Sequence, residues 1–210
     1  MGNLDNLYSA ILSGNLKVAV ESTKGAIDEG YEPLEIINDY MAIAMREIGN
    51  RFENGKAFVP ELLMAARAMK GALDILKPQM TGSGSLGLGK VVIGTVKGDL
   101  HDIGKNLVAS MLEGSGFEVI NLGVDVSSDK FVAAVQEYHP QIVCLSALLT
   151  TTMDYMVTIV EALKKSGLRN QVKIMIGGAP VSEAFARQIG ADGYSENANT
   201  AVTLARSLVL

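Results

Sequence analysis

The run Thr81-Gly-Ser-Gly-Ser-Leu-Gly-Leu-Gly89 separates two hydrophobic periodicities that demand different architectures. Before it, apolar residues recur at helical steps. Leu62, Ala66, Met69, Leu73 and Leu76 make one stripe, with Pro60 at its start, where a missing N–H costs nothing. Leu34, Ile37, Met41, Met45, Ile48 and Phe52 make a second, behind Pro33. Leu16, Val20, Thr23 and Ile27 make a third, with Asn15 as N-cap and Gly30 as a stop. Leu4, Leu7 and Ile11 make a short first one. Four helices with short loops predict a four-helix bundle over residues 1–80.

After the run, short apolar segments alternate with helical ones. Strands are expected at Val91–Val96, Glu118–Leu122, Ile142–Ser146, Val172–Ile176 and Asp192–Tyr194. Helices fit at 104–115, 128–138, 151–166, 181–189 and 197–209. This alternation predicts an α/β doubly wound, Rossmann-like domain over 90–210, with a five-stranded parallel sheet. Residues 81–89 read as a flexible linker and a hinge between the two domains.

Composition narrows the function classes. One Cys in 210 residues excludes an internal disulfide, and Cys144 sits inside an apolar strand as a small hydrophobe. The net charge of −5 is spread over both halves with no basic stripe, so no nucleic-acid partner is expected. The apolar runs are too short for a membrane span and Met1–Leu7 does not read as a secretory signal. The expectation is a soluble, cytoplasmic protein without a membrane partner.

In doubly wound folds ligands sit beyond the carboxyl ends of the strands. Two phosphate motifs fail there. Gly84-x-x-x-x-Gly89-Lys90 precedes a strand and has Val91 in place of the magnesium-binding hydroxyl. The turn from Gly94 to His101 is not G-x-G-x-x-G. It contains instead Gly98-Asp99-Leu100-His101-Asp102-Ile103-Gly104. In an extended loop, residues two apart point the same way, so Asp99 can reach a ring nitrogen of His101. Such a pair fixes the free nitrogen and raises its basicity, preparing a metal ligand or a general base. The same pair also suits a helix N-cap beside a surface His. The other histidine, His139, precedes Pro140 and reads as an exposed loop residue. A metal on His101 therefore needs its remaining ligands from a cofactor.

Asp99-x-His101-x-x-Gly104 is followed after 41 residues by Ser146-Ala147-Leu148, and after 28 more by Gly177-Gly178. This series resembles the cobalamin-binding signature of methionine synthase, corrinoid methyl carriers and some adenosylcobalamin mutases. The stretch from Met45 to Glu61 is similar to the helical module preceding that domain in methionine synthase, although Asn38 stands where that enzyme has a Glu. In size and layout the chain resembles the corrinoid proteins of methanol, methylamine and methoxyarene methyltransferase systems.

The resemblance implies cobalamin or a related corrinoid as cofactor, its cobalt cycling between methylcobalamin and cob(I)alamin. It implies His101 as lower axial ligand in place of the cofactor's own base (base-off, His-on), with Asp99 and Thr152 completing a proton-linked relay. It implies that Gly98, Leu100, Asp102, Ile103 and Gly104 border the cofactor. Ser146, Leu148, Thr150, Gly177 and Gly178 would line a slot for the displaced nucleotide tail, near Ala179 and Ala198. Phe52 and Val59 would cover the methyl-bearing face. The function implied is a methyl carrier between a substrate:corrinoid methyltransferase and a corrinoid:acceptor methyltransferase using tetrahydrofolate or a thiol. A reductive activator is implied as a third partner, and the chain is not expected to act alone. Two rivals share the motif: the small subunit of an adenosylcobalamin mutase and a cobalamin-dependent sensor. The Phe52–Val59 segment disfavours the first, because an adenosyl group needs that space, and the lack of a DNA-binding segment disfavours the second.

Overall fold

The computed structural model describes residues 2–80 and 88–209. Most of the expected linker, residues 81–87, lies outside the described residues, and so does most of the Gly84–Lys90 run. The described chain divides into two compact units, residues 2–80 with 110–116 and residues 88–109 with 117–209.

The helical unit begins with α1 (Asn3–Leu12), which buries Leu4, Leu7, Ala10 and Ile11. Helix α2 (Leu16–Asp28) starts where the Asn15 side chain accepts the Val18 N–H at 3.2 Å, the expected N-cap. It stops before Gly30, whose φ of 88° suits glycine. Its inward face is Ala19, Ser22, Thr23 and Ala26, with Leu16, Val20 and Ile27 only half-buried. The predicted stripe is thus displaced toward the small residues. The reason is close packing: a Cβ at Gly25 would lie 2.5 Å from the Asn3 side chain of α1.

The next helical stretch has three parts: α3 (Pro33–Glu35), a π-helical segment (Ile36–Met41) and α4 (Ala42–Glu53). The wider π turn shifts the phase of the stripe. Ile36 and Met41 are buried, whereas Leu34, expected inside, is 51% exposed. Helix α5 (Val59–Leu76) carries Pro60 in its first turn and buries Leu62, Ala66, Met69, Leu73 and Leu76, as the periodicity predicts. The Glu61 carboxylate accepts the Phe58 N–H at 2.8 Å and closes its N-terminus.

In the second unit, β1 (Lys90–Thr95), β2 (Glu118–Asn121), β3 (Ile142–Ser146), β4 (Lys173–Gly177) and β5 (Gly193–Ser195) form one sheet in the order β2-β1-β3-β4-β5. All pairings are parallel. Each strand falls within two residues of its expected position. The central strands bury nearly every side chain, which explains their continuous apolar runs.

Helix α6 (Ile103–Gly114) leads from β1 outward to β2, and α7 (Ser128–Tyr138) returns past β1 to β3. Right-handed crossovers place these two helices on opposite faces. The face of α7 also holds α9 (Tyr155–Lys165) and α10 (Glu183–Ile189), around Phe131, Met156, Ile159, Leu163 and Phe185. A short α8 (Thr150–Met153) precedes α9, so the helix expected over 151–166 is broken at Asp154. The last helix, α11 (Ala198–Val209), packs on β5, where Leu204 fills the space a Cβ at Gly193 would need.

The strand order reverses at β1, so the loops after β1 and β3 leave the sheet at adjacent points and diverge. That is where a doubly wound sheet offers a crevice. Among the described residues, no helix is long and apolar enough to cross a membrane.

Candidate functional site

The loops following β1 and β3 converge on one carboxylate. Asp99 is fully buried, and its Oδ1 accepts the His101 backbone N–H at 3.0 Å and meets the imidazole Nδ1 at 2.7 Å. Its Oδ2 accepts the Leu148 N–H at 2.7 Å and the Thr152 hydroxyl at 2.7 Å, with the Leu149 N–H at 3.4 Å. Burial alone would raise the Asp99 pKa. The hydrogen bonds from the His101 and Leu148 backbones, the Thr152 hydroxyl and the His101 ring outweigh it and hold the carboxyl well below the usual range. Asp99 is therefore ionised at neutral pH, and the shared proton sits on Nδ1. Nε2 is the ring nitrogen turned away from Asp99, on a side chain that is 51% exposed.

Leu100, Asp102, Ile103 and Gly104 are exposed around His101, and Leu148 and Thr150 are exposed at the end of β3. Leu100, Ile103, Leu148 and Leu149 thus form an uncovered apolar border to the imidazole. Among the described residues, no three His, Cys, Asp or Glu side chains converge on a bare ion. His101 is suited to a metal that brings its other ligands with it.

Register explains the small residues. Thr95, Ser146, Gly177 and Ser195 pair across β1, β3, β4 and β5, so they form one row at the carboxyl end of the sheet. The row lies on the side of α11, whose buried first residue is Ala198. A Cβ on Gly177 would stand 3.1 Å from the Ser195 carbonyl oxygen. Gly178 has φ 129°, and a Cβ there would collide with the Ala147 carbonyl. Ala179 is exposed just beyond. Phe52, half-buried near the end of α4, and Val59, the exposed first residue of α5, belong to the helical unit. Cys144 is buried in β3, which pushes its thiol up to about 12. His139 is exposed and closes α7 in a left-handed conformation.

Three features of the site escape a reading of the sequence. The Thr95 hydroxyl donates to the His101 carbonyl at 2.9 Å. Lys105 is buried, with Nζ donating to Asn106 Oδ1 at 2.6 Å and Asn121 Oδ1 at 2.8 Å, while Asn106 Nδ2 donates to Asp102 at 2.9 Å. Burial lowers the Lys105 pKa, against the opposing charge of Asp102. Asp125 accepts the Gly98 N–H at 2.7 Å. The Lys105–Asn121 and Asp125–Gly98 contacts join residues far apart in sequence, which no local motif announces.

A buried carboxylate thus holds one half-exposed imidazole near a row of small residues at the carboxyl end of a doubly wound sheet. The B12 binding domain family matches residues 89–203, more than half of the chain, and a second family of the same description matches residues 4–77. Trimethylamine corrinoid protein 1 of Methanosarcina acetivorans is 44% identical over 203 residues, 96% of this chain and 94% of that protein. Dimethylamine corrinoid protein 1 of the same organism is 47% identical over 192 residues, 91% of this chain and 88% of its own. Among solved structures, a cobalamin-binding protein from Desulfitobacterium hafniense superposes with TM-score 0.82 at 37% identity, covering 98% of both chains. The methanol:cobalamin methyltransferase complex of Methanosarcina barkeri matches with TM-score 0.83 at 31% identity, over 99% of this chain and 79% of that one. The chain belongs to the family of B12-binding corrinoid proteins, and its cofactor is cobalamin or a related corrinoid. The donor set fits such a group: it would bring its own ring ligands to the metal, and His101 Nε2 would be the donor that the chain adds.

Proposed function

We propose that this protein carries a methyl group on corrinoid cobalt between two methyltransferases, with His101 as the lower axial ligand. The observation that carries the ligand assignment is the 2.7 Å contact of the buried Asp99 carboxylate with His101 Nδ1, which leaves Nε2 outward. When bound, the corrinoid supplies a cobalt centre that accepts a methyl group in its reduced state and releases it to a nucleophile.

The chain's own residues hold that chemistry in place. Asp99 fixes the imidazole tautomer and raises Nε2 basicity through the Nδ1 hydrogen bond. Thr152 donates to Asp99 Oδ2 at 2.7 Å and also lies 3.0 Å from the Leu149 carbonyl, so its single proton has two acceptors. Asp99, Thr152 and His101 form the relay through which proton position tunes the axial ligand. Gly98, Leu100, Asp102, Ile103 and Gly104 border the corrin. Ser146, Leu148, Thr150, Gly177, Gly178, Ala179 and Ala198 accommodate the nucleotide tail, Gly177 and Gly178 by lacking side chains. Phe52 and Val59 are the apolar cover that excludes water from the methyl-bearing face. In this reading residues 1–80 are the cap domain, 81–89 the connection and 90–210 the cofactor domain.

Relatives named for trimethylamine and dimethylamine, and the solved methanol:cobalamin methyltransferase complex, support a substrate:corrinoid methyltransferase as first partner. A corrinoid:acceptor methyltransferase, serving tetrahydrofolate or a thiol, and a reductive activator complete the proposed set, and the cytoplasm is the proposed compartment. The test is partner-dependent methylation. Reduced holoprotein is mixed with a methylamine or methanol methyltransferase and its methyl donor, and the visible spectrum is followed. The reading expects methylation only when enzyme and donor are both present. A holoprotein that none of these enzymes methylates would overturn it.

A further inference from the structure

The loop bearing His101 is held by a residue from the far side of β1. Strand pairing runs in step from Lys90↔Glu118 to Ile93↔Asn121 and resumes at Val96↔Val126. Between those points β1 contributes Gly94 and Thr95, whereas the facing chain contributes Leu122, Gly123, Val124 and Asp125. The two surplus residues loop out, with positive φ at Gly123 (85°) and Asp125 (53°). Asp125 is one of only two non-glycine residues with positive φ among the described residues. Asp tolerates this conformation better than most side chains, but a cost remains and calls for a compensating role.

The conformation aims both ends of Asp125 at the ligand loop. Its carboxylate accepts the Gly98 N–H at 2.7 Å, and its own N–H donates to the Asp99 carbonyl at 3.0 Å. Thr95 holds the His101 carbonyl. The loop backbone is therefore clamped at Gly98, Asp99 and His101 by groups outside it. We infer that Asp125 is a positioning residue, which fixes the Gly98–Asp99 backbone so that the Asp99–His101 pair presents Nε2 to cobalt in one geometry. This rests on the ligand assignment proposed above. The Asp125 carboxylate bonds the Gly98 backbone N–H, so its effect on the Asp99–His101 pair passes through the backbone.

The substitutions separate the possibilities. Asp125→Asn keeps an acceptor and a residue type at home at positive φ. Asp125→Gly keeps the conformation without strain but removes the acceptor. Each variant is reconstituted anaerobically with hydroxocobalamin and reduced to Co(II). Nitrogen coupling is read by electron paramagnetic resonance and the Co(II)/Co(I) midpoint potential by titration. Asp125→Gly is expected to bind corrinoid, weaken His–cobalt association about 10-fold, in the range of outer-shell ligand partners, and shift the potential to less negative values. Asp125→Asn is expected to match the wild type. Amide exchange at Gly98 and His101 in the cofactor-free protein is expected to quicken in Asp125→Gly alone, while β1 and β3 keep their protection. Wild-type coupling, potential and exchange in Asp125→Gly would overturn the inference and leave the ligand assignment standing. A wild-type protein without nitrogen coupling would remove both.

Discussion

Asp99 and His101 meet at 2.7 Å across the boundary between core and solvent: the carboxylate is fully buried, and the imidazole is half exposed. Two backbone N–H groups, a hydroxyl and a ring N–H within 3.0 Å neutralise the carboxylate without a cation beside it. A buried charge satisfied in this way has one geometry, and it transmits that geometry to the ring.

Asp99→Asn puts an NH₂ group where donors already point. At least one buried donor loses its acceptor, and the imidazole loses its tautomer control. The expected outcome is a destabilisation of about 2 kcal/mol in denaturant unfolding, together with a changed His101 nitrogen spectrum. Unchanged stability and an unchanged ring spectrum would contradict the role given to Asp99.

The same carboxylate predicts acid sensitivity. Its folded pKa lies below the unfolded one, so its contribution to stability is complete above pH ~4 and is lost as pH falls further. Denaturant midpoints measured from pH 6 down to pH 3 should fall more steeply for the wild type than for Asp99→Asn. Parallel curves would show that Asp99 is not the group responsible.

Gly178 and Gly177 are adjacent but not equivalent. A Cβ at Gly178 meets the Ala147 backbone at a φ closed to other residues, whereas one at Gly177 needs a small adjustment against Ser195. Gly178→Ala should lower the melting temperature by several degrees, from a loss of about 2 kcal/mol or more, and lower corrinoid stoichiometry. Gly177→Ala should retain the fold and weaken tail binding. The reverse ranking in thermal unfolding would sink this reading of the two glycines.

Burial raises the Cys144 thiol to about 12. Alkylation by iodoacetamide at pH 8 should therefore be negligible in the folded protein and complete in denaturant. Rapid labelling of the native state, read by mass spectrometry, would show that β3 opens to solvent.

Much of this molecule is readable from its residues. The central strands β1 and β3 are continuous apolar runs because a covered parallel sheet buries both faces, so Val91–Ile93 and Ile142–Leu145 leave little ambiguity. The Asp99–His101 contact follows from a spacing of two. Less was visible where small residues or loops decide. The inward face of α2 is Ala19, Ser22, Thr23 and Ala26, whose weak hydrophobicity hides close helix packing. The π segment at Ile36–Met41 rotates the stripe away from Leu34, and no residue announces it. Lys105 and Asp125 bond residues far off in sequence, Asn121 and Gly98, so those contacts depend on register and, for Asp125, on two surplus residues after β2, while the Thr95 contact depends on how the loop after β1 folds back.

The proposed ligation of cobalt by His101 is tested most directly by the electron paramagnetic resonance spectrum of the Co(II) holoprotein, compared between wild type and His101→Ala. Coupling to one imidazole nitrogen is expected in the wild type, with the cofactor's own base displaced, and loss of that coupling in the variant. Coupling to the cofactor's base, or a spectrum identical in both proteins, would contradict it.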